Sequence, residues 1–285
     1  MTPTSTSSTA PAREIAERLV AARRSASALA EFPGPLPTDL DTAYAIQGAG
    51  IALWPDAVAG WKVGRLGPQW QEHFHEERLV GPIFGASIRQ AQGDKTIDFP
   101  VYENGFAAVE AEYIFRVNSD APPSKKTWSA EEASQLDLDL LVGIETAGSP
   151  LASINELGPG AIVSDFGNNS GLILGSPVPE WRRRRMDSLL CEVWIDGRSV
   201  GRGGASSLPG GPLTGLAFAL ARCARLGRPL TAGGLVSSGA TTGIHDIRAG
   251  QSAHVRFGND GDIQCRAVRA VRTAAARPDK VTASC

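Results

Sequence analysis

Residues 109–115 read VEAEYIF, a run in which acids alternate with small or apolar residues and which continues apolar to Val117. A period of two is the pattern of a strand, where positions i and i+2 point to the same face. Glu110 and Glu112 are therefore expected side by side. Two adjacent carboxylates repel unless they are protonated, ion-paired or bound to a cation, and a hard oxygen site is one natural use of them. The other is an exposed strand face on which both acids stay solvated.

A third carboxylate shifts that balance. Glu145 lies within LLVGIETAG (140–148), a second apolar run in which an unpaired charge would be costly to bury. Three all-oxygen ligands with open positions suit Mg²⁺ or Mn²⁺, whereas zinc would call for His or Cys. Around these runs lie others of the same texture: GWKVGRL (60–66), VGPIFGASI (80–88), TIDFP (96–100), AIVSDFGNNSGLILG (161–175), LLCEVWIDGRSVG (189–201) and AHVRFGNDGDIQCRAV (253–268). Short apolar or alternating stretches divided by Gly, Asp and Asn are sheet punctuation, and DG at 196–197 and NDGD at 259–262 predict tight hairpins.

Helical spacing appears elsewhere. Ile15, Leu19, Val20, Ala22 and Leu29 recur at helical intervals, and DLDTAYAIQGAGIAL (39–53) repeats the pattern with Asp41 and Thr42 as candidate caps. SAEEASQLD (129–137) and PLTGLAFALARCARLG (212–227) also read as helices, the latter stopped by Gly227. The expected organisation is a disordered tail at 1–11, a helical N-terminal region at 12–60, a β-rich domain at 61–275 and a C-terminal tail at 276–285.

Composition removes several classes of function. Of 285 residues, 42% are hydrophobic and 20% charged, enough apolar content for a full core. The formal charge of −2 leaves no basic excess to neutralise a phosphate backbone, so nucleic acid is not an expected partner. The run Arg182–Arg185 reads as a solvated connecting loop. Cys191, Cys223, Cys265 and Cys285 form no CxxC pair, which argues against a zinc signature or a disulfide framework. With neither an apolar signal core near the N-terminus nor a membrane-length apolar run, a cytoplasmic protein without membrane partners is expected.

The spacing Glu-x-Glu, with Glu145 following Glu112 by 33 residues, resembles the metal triad of the fumarylacetoacetate hydrolase superfamily, in its 2-keto-4-pentenoate hydratase and 4-oxalocrotonate decarboxylase branch. Further segments resemble family motifs in the same order: WKVG (61–64), VGPIFGAS (80–87), IVSDFGNNSGLILG (162–175) and GRPLTAGGLVSSGATTG (227–243). The resemblance implies an α+β fold, a mixed β-roll behind a small helical N-terminal region. It implies Mg²⁺ or Mn²⁺ on Glu110, Glu112 and Glu145, and a small-molecule 2-oxo acid substrate handled through a metal-chelated enolate. Lys62, Asp165 and Asn168 are the implied catalytic groups. Ser238, Gly239 and Asn169 are the implied substrate contacts, with Ser237 beside them and His245 a weaker candidate. A homo-oligomer, or a complex with a related decarboxylase or hydratase, is the implied assembly.

The expected reaction is a hydro-lyase one, hydration of a 2-hydroxy-2,4-dienoate to a 4-hydroxy-2-oxo acid. Decarboxylation of an oxalocrotonate-like acid, C–C hydrolysis of an acylpyruvate, or a catalytically silent partner subunit are the alternatives. They stay open because the sequence departs from the family at one place: Arg78, Leu79 and Val80 stand where the hydratases carry an Asp. Glu76 and Glu77 could replace that acid only if the loop were re-registered. His73 and His75, in EHFHEE, read as an ordinary surface loop near the site mouth, or as part of a lid.

Overall fold

The computed structural model describes residues 9–272; residues 1–8 and the expected C-terminal tail at 276–285 lie outside them. Seven α-helices are found among the described residues: α1 Thr9–Ser25, α2 Leu40–Leu53, α3 Pro68–Phe74, α4 Ala130–Ser134, α5 Ile154–Leu157, α6 Pro159–Ser164 and α7 Pro212–Arg225. The strands that build the main sheet are β1 Val58–Arg65, β2 Arg78–Phe84, β3 Ile88–Gln90, β5 Phe106–Val117, β6 Leu138–Ser149, β7 Asn169–Pro177, β10 Leu235–Ser237 and β11 His245–Asp246. A second sheet takes β4 Ile97–Val101, β8 Leu190–Ile195, β9 Arg198–Gly204, β12 Ser252–Arg256 and β13 Asp262–Arg269.

The main sheet runs β2-β1-β10-β5-β6-β7-β3 with β11 added to β5, and the second runs β4-β13-β12-β8-β9. Both mix directions: β1 with β10, β3 with β7 and β4 with β13 are parallel, while β5 and β6 pair antiparallel from Phe106↔Ser149 to Val117↔Leu138. This is an α+β fold, as the sequence leads one to expect.

The two faces of β5 have different fates. Val109, Ala111, Tyr113, Phe115 and Val117 enter the main core together with Val193, Val255 and Ile263 of the second sheet. On the opposite face Ile114 joins Ile83, Leu141, Leu172, Leu174 and Leu235 in a smaller apolar cluster. Glu110 and Glu112 share that opposite face. Sliding β5 by one residue would turn Tyr113 and Phe115 out of the core, at roughly 1.5–3 kcal/mol for each side chain exposed, so the register of the acids is held by their apolar neighbours.

The N-terminal helices share this core. Val20, Leu40, Tyr44 and Ile51 belong to the main cluster, while Ile15, Leu19 and Ile46 pack against Leu151, Ile154 and Ala161. Gln47 donates from Nε2 to the carbonyls of Val80 (3.1 Å) and Val163 (2.8 Å), joining α2 to β2 and α6.

The structure corrects several local expectations. Helix α1 begins at Thr9, inside the segment read as a tail, and β1 begins at Val58, before the expected boundary at 60–61. Asp39 caps α2, accepting from the Thr42 N–H at 2.7 Å; Asp41 and Thr42 lie inside the helix. AIVS (161–164), read as strand, lies in α6, which follows Gly158 (φ 82°) and starts on Pro159. A short apolar run does not by itself distinguish strand from helix. His73 lies in α3 and His75 caps it at φ 52°, so the two do not share a strand face.

Candidate metal centre

Register brings the acids together. Glu110 on β5 stands directly opposite Glu145 on β6, and Glu112 stands opposite Gly143. Like charges opposed across a strand pair are destabilising unless something bridges them. All three carboxylates are buried, at 5%, 0% and 0% exposure, and one oxygen from each lies within 4.8 Å of the others. Gly143 leaves the room: a Cβ there would stand 2.7 Å from Ile114 Cγ1.

Each deep carboxylate is held by one oxygen and has the other unpartnered. Glu112 Oε2 accepts from the Ser237 hydroxyl (2.6 Å) and the Gly239 N–H (2.8 Å). Glu145 Oε1 accepts from Asn169 Nδ2 (3.0 Å) and lies 3.3 Å from Lys62 Nζ. Glu112 Oε1 and Glu145 Oε2 have no hydrogen-bond partner among the described residues. Buried anionic oxygens without partners are expensive, and an all-carboxylate donor set fits a hard divalent cation.

The electrostatics follow from crowding. Burial pushes the Glu110 carboxyl up, Lys62 pulls it back, Glu145 raises it again, and the net is about 7. Burial, then Glu145 and Glu110, push Glu112 well above the usual carboxylate range against the hydrogen bonds from Ser237 and Gly239. Burial alone would strip the proton from Lys62, but Glu145, Glu110 and Glu112 outweigh it and hold the ammonium above its ordinary value. The neutral Lys62 expected from a nearby cation is therefore not the form of the metal-free chain.

A cavity of about 290 Å³ opens over this cluster, lined by Lys62, Glu110, Asn155, Asn168, Ser238 and Gly239 and walled by Leu79, Ile162, Leu208 and Ile244. No family model matches the chain. Two relatives named 2-keto-4-pentenoate hydratase, from Paraburkholderia phymatum and Burkholderia vietnamiensis, are each 28% identical over 251 residues, 85% of this chain and 92% of theirs. The solved 4-oxalocrotonate decarboxylase of Pseudomonas putida G7, complexed with calcium and acetate, superposes with a TM-score of 0.72 at 17% identity, over 90% of this chain and 97% of that one. Fumarylpyruvate hydrolase of Pseudomonas aeruginosa, in complex with Mn²⁺ and pyruvate, gives 0.53 at 15% identity, over 74% and 89%.

The chain belongs to the fumarylacetoacetate hydrolase superfamily.

Within the superfamily frame, the remaining candidates separate. Asp165 is not brought to the cavity: its Oδ1 is paired with Arg23 Nε at 2.5 Å and its Oδ2 accepts from the Ser149 hydroxyl at 2.6 Å. It is a framework group, with no lone pair left for substrate chemistry on the side of either partner. Asn169 braces Glu145 and lies outside the cavity lining. Ser238 and Gly239 line the cavity, yet the Ser238 hydroxyl donates to the Tyr113 carbonyl (2.6 Å) and the Gly239 N–H to Glu112. Both donors expected to meet substrate are used inside the protein. Asn168, at φ 61°, donates from Nδ2 to Asn155 Oδ1 (3.3 Å) and has its own buried Oδ1 unpartnered. His245 bonds Thr242 Oγ1 through Nε2 (3.0 Å), and burial lowers its pKa.

The family's missing acid is not replaced. Glu76 is ion-paired with Arg222 and Glu77 with Arg78, and neither lines the cavity, where Leu79 stands instead. Arg65, Arg78 and Asn155 are cavity residues that the sequence reading assigned no role. Arg78 carried a signal, since it abuts the place of the absent acid; Asn155 sits in a helical turn with no distinguishing pattern.

Proposed function

We propose that the chain is a divalent-metal-dependent lyase acting on a 2-oxo acid or its dienol, and that its reaction is hydration of a 2-hydroxy-2,4-dienoate to a 4-hydroxy-2-oxo acid. The observation that carries this reading is the buried Glu110↔Glu145 pair, with Glu112 beside it, two unpartnered carboxylate oxygens and Lys62 Nζ at 3.3 Å, under an open cavity. Glu110, Glu112 and Glu145 would hold Mg²⁺ or Mn²⁺. Such a cation, when bound, supplies Lewis acidity toward the negative charge that develops on a keto oxygen next to a carboxylate.

The chain's own groups fit the rest of a hydration. Addition of water needs a proton delivered to one carbon and a hydroxyl to another. Lys62 carries a proton on Nζ within the cavity and can pass it to the substrate chain. Asn168 Oδ1 is an acceptor with no protein partner, suited to orienting water on the opposite side. Leu79, Leu208 and Ile162 limit bulk water around the reacting carbons. The relatives named hydratase support this choice of reaction.

Leu79 favours a second reading. Without an acid at that place no carboxylate is at hand to activate water, and decarboxylation of an oxalocrotonate-like acid or C–C hydrolysis of an acylpyruvate uses the same head-group site. A silent partner subunit is the non-enzymatic alternative. Purified protein with Mg²⁺ should bleach the absorbance of 2-hydroxypenta-2,4-dienoate, and Glu145→Gln should lower that rate by at least about 100-fold. An unchanged absorbance removes the hydratase assignment, and release of CO₂ or of a split acid from the corresponding substrates assigns the reaction instead. The same reading carries a cytoplasmic homo-oligomer, to be checked by mass photometry. No helix among the described residues is long and apolar enough to cross a membrane.

A further inference from the structure

Like charges stand opposed across a strand pair a second time in this cavity. In the β1·β2 ladder Arg65 pairs directly with Arg78, in the register that sets Lys62 opposite Gly81. Both arginines line the cavity that also holds Lys62 and Glu110. Arg78 is 7% exposed; it donates from Nη1 to Glu77 Oε2 (2.8 Å) and from Nη2 to the Pro209 carbonyl (3.1 Å). Glu77, its only carboxylate partner, has a side chain 69% exposed, and an ion pair with so solvated an acid holds its partner weakly. Arg65 is exposed.

Two guanidinium groups set across from each other repel as two carboxylates do, and an anion between them removes the cost. The pair lies three residues along the ladder from Lys62↔Gly81, roughly 10 Å at the rise of a strand. Between the two positions the wall is apolar, with Leu79 packed on Gly64. The cavity thus has an acidic end that seeks a cation, an apolar middle and a basic end that seeks an anion.

We propose that Arg65 and Arg78 form an anion subsite that selects substrates bearing a second carboxylate at the end remote from the 2-oxo acid head. The occupant is a 2-oxo dicarboxylic acid, or its dienol, of short chain length. Planar guanidinium groups suit this because they bind carboxylate through two parallel N–H bonds. The inference rests on the reading of the head-group site given above. It also gives the replacement of the family's acid a consequence: an aspartate beside these arginines would neutralise the pull on a distal carboxylate, and Leu79 does not.

Calorimetry on the full chain, with and without saturating Mg²⁺, separates the two claims by comparing 2-oxoadipate with 2-oxohexanoate. The diacid should bind at least about tenfold more tightly, as expected for added charge-assisted hydrogen bonds. Arg65→Gln, at an exposed strand end, should remove most of that preference, and Arg78→Lys should reduce it while keeping the buried charge. A ratio near one in the unaltered protein, or a preference indifferent to both substitutions, overturns the subsite. If the preference stands but neither acid needs Mg²⁺, the head-group reading falls and the arginine subsite survives. If neither acid binds in the presence of Mg²⁺, both are overturned.

Discussion

Glu110 carries the cost of the site in a form that can be measured. Its carboxyl, pushed to about 7 by burial, is protonated in the folded metal-free chain at pH values where it would be ionised in the unfolded one. Folding therefore takes up a proton between about 4.5 and 7. The sign follows: this group favours the fold fully below its unfolded pKa, and that contribution is lost as pH rises through about 7. A divalent cation needs the ionised form, so the Mn²⁺-induced rise in Tm should grow from pH 6 to pH 8. Glu110→Gln should stabilise the metal-free protein at pH 8 by roughly 1–3 kcal/mol and abolish the metal-induced rise, both read by thermal melts. A Glu110→Gln protein less stable than its parent without metal would contradict this account. The thiols give a second test at this scale. Burial raises Cys191 to about 11 and Cys265 to about 12, and it raises Cys223 as well. All three should resist alkylation at pH 8 until the chain unfolds, as mapped by peptide mass spectrometry.

At the scale of elements, the site depends on how closely β2 approaches the turn after α6. A Cβ on Gly81 would run into the Phe166 carbonyl oxygen, and into the Gly167 Cα at 2.7 Å. Gly167 itself takes φ 67°, which turns the chain so that Asn168 faces the cavity. Gly81→Ala should cost about 1–3 kcal/mol by overpacking and should depress turnover beyond its effect on stability, because Asn168 moves with the turn. Melting curves paired with kcat check this; a stable Gly81→Ala enzyme of normal turnover would refute it. Elements also explain which parts of the site were legible in the sequence. Glu110 and Glu112 were readable because strand periodicity is local, and Glu145 because a charge inside an apolar run is conspicuous. The roles of Ser237 and Gly239 were not, since β10 reaches Glu112 only through a sheet neighbour 125 residues distant for Ser237 and 127 for Gly239. AIVS misled because Gly158 and Pro159, flanking a four-residue apolar stretch, define a helix start that hydrophobic pattern alone does not reveal.

Over the whole molecule, one buried arginine ties the N-terminal helix to the metal centre. Arg23, 5% exposed, bonds Asp165, the Asn169 carbonyl (2.9 Å) and the Gly148 carbonyl (3.0 Å), while the Asn169 side chain holds Glu145. Asp165 looked catalytic in the sequence because nothing local distinguishes an acid kept for substrate from one matched to a partner 142 residues away. Arg23→Leu leaves Asp165 charged and unpaired, and should cost about 3–5 kcal/mol. It should also weaken Mn²⁺ binding several-fold, as followed by calorimetry below the lowered Tm; loss of stability with metal affinity intact would disconnect the helix from the site. The same tie sets a timetable for synthesis. Arg23 emerges from the ribosome long before Asn169, which follows it by 146 residues. At roughly 5–20 residues per second, helix α1 waits on the order of ten seconds for the groups that will bury its charge, and the metal centre is finished only after its first-made helix is called back.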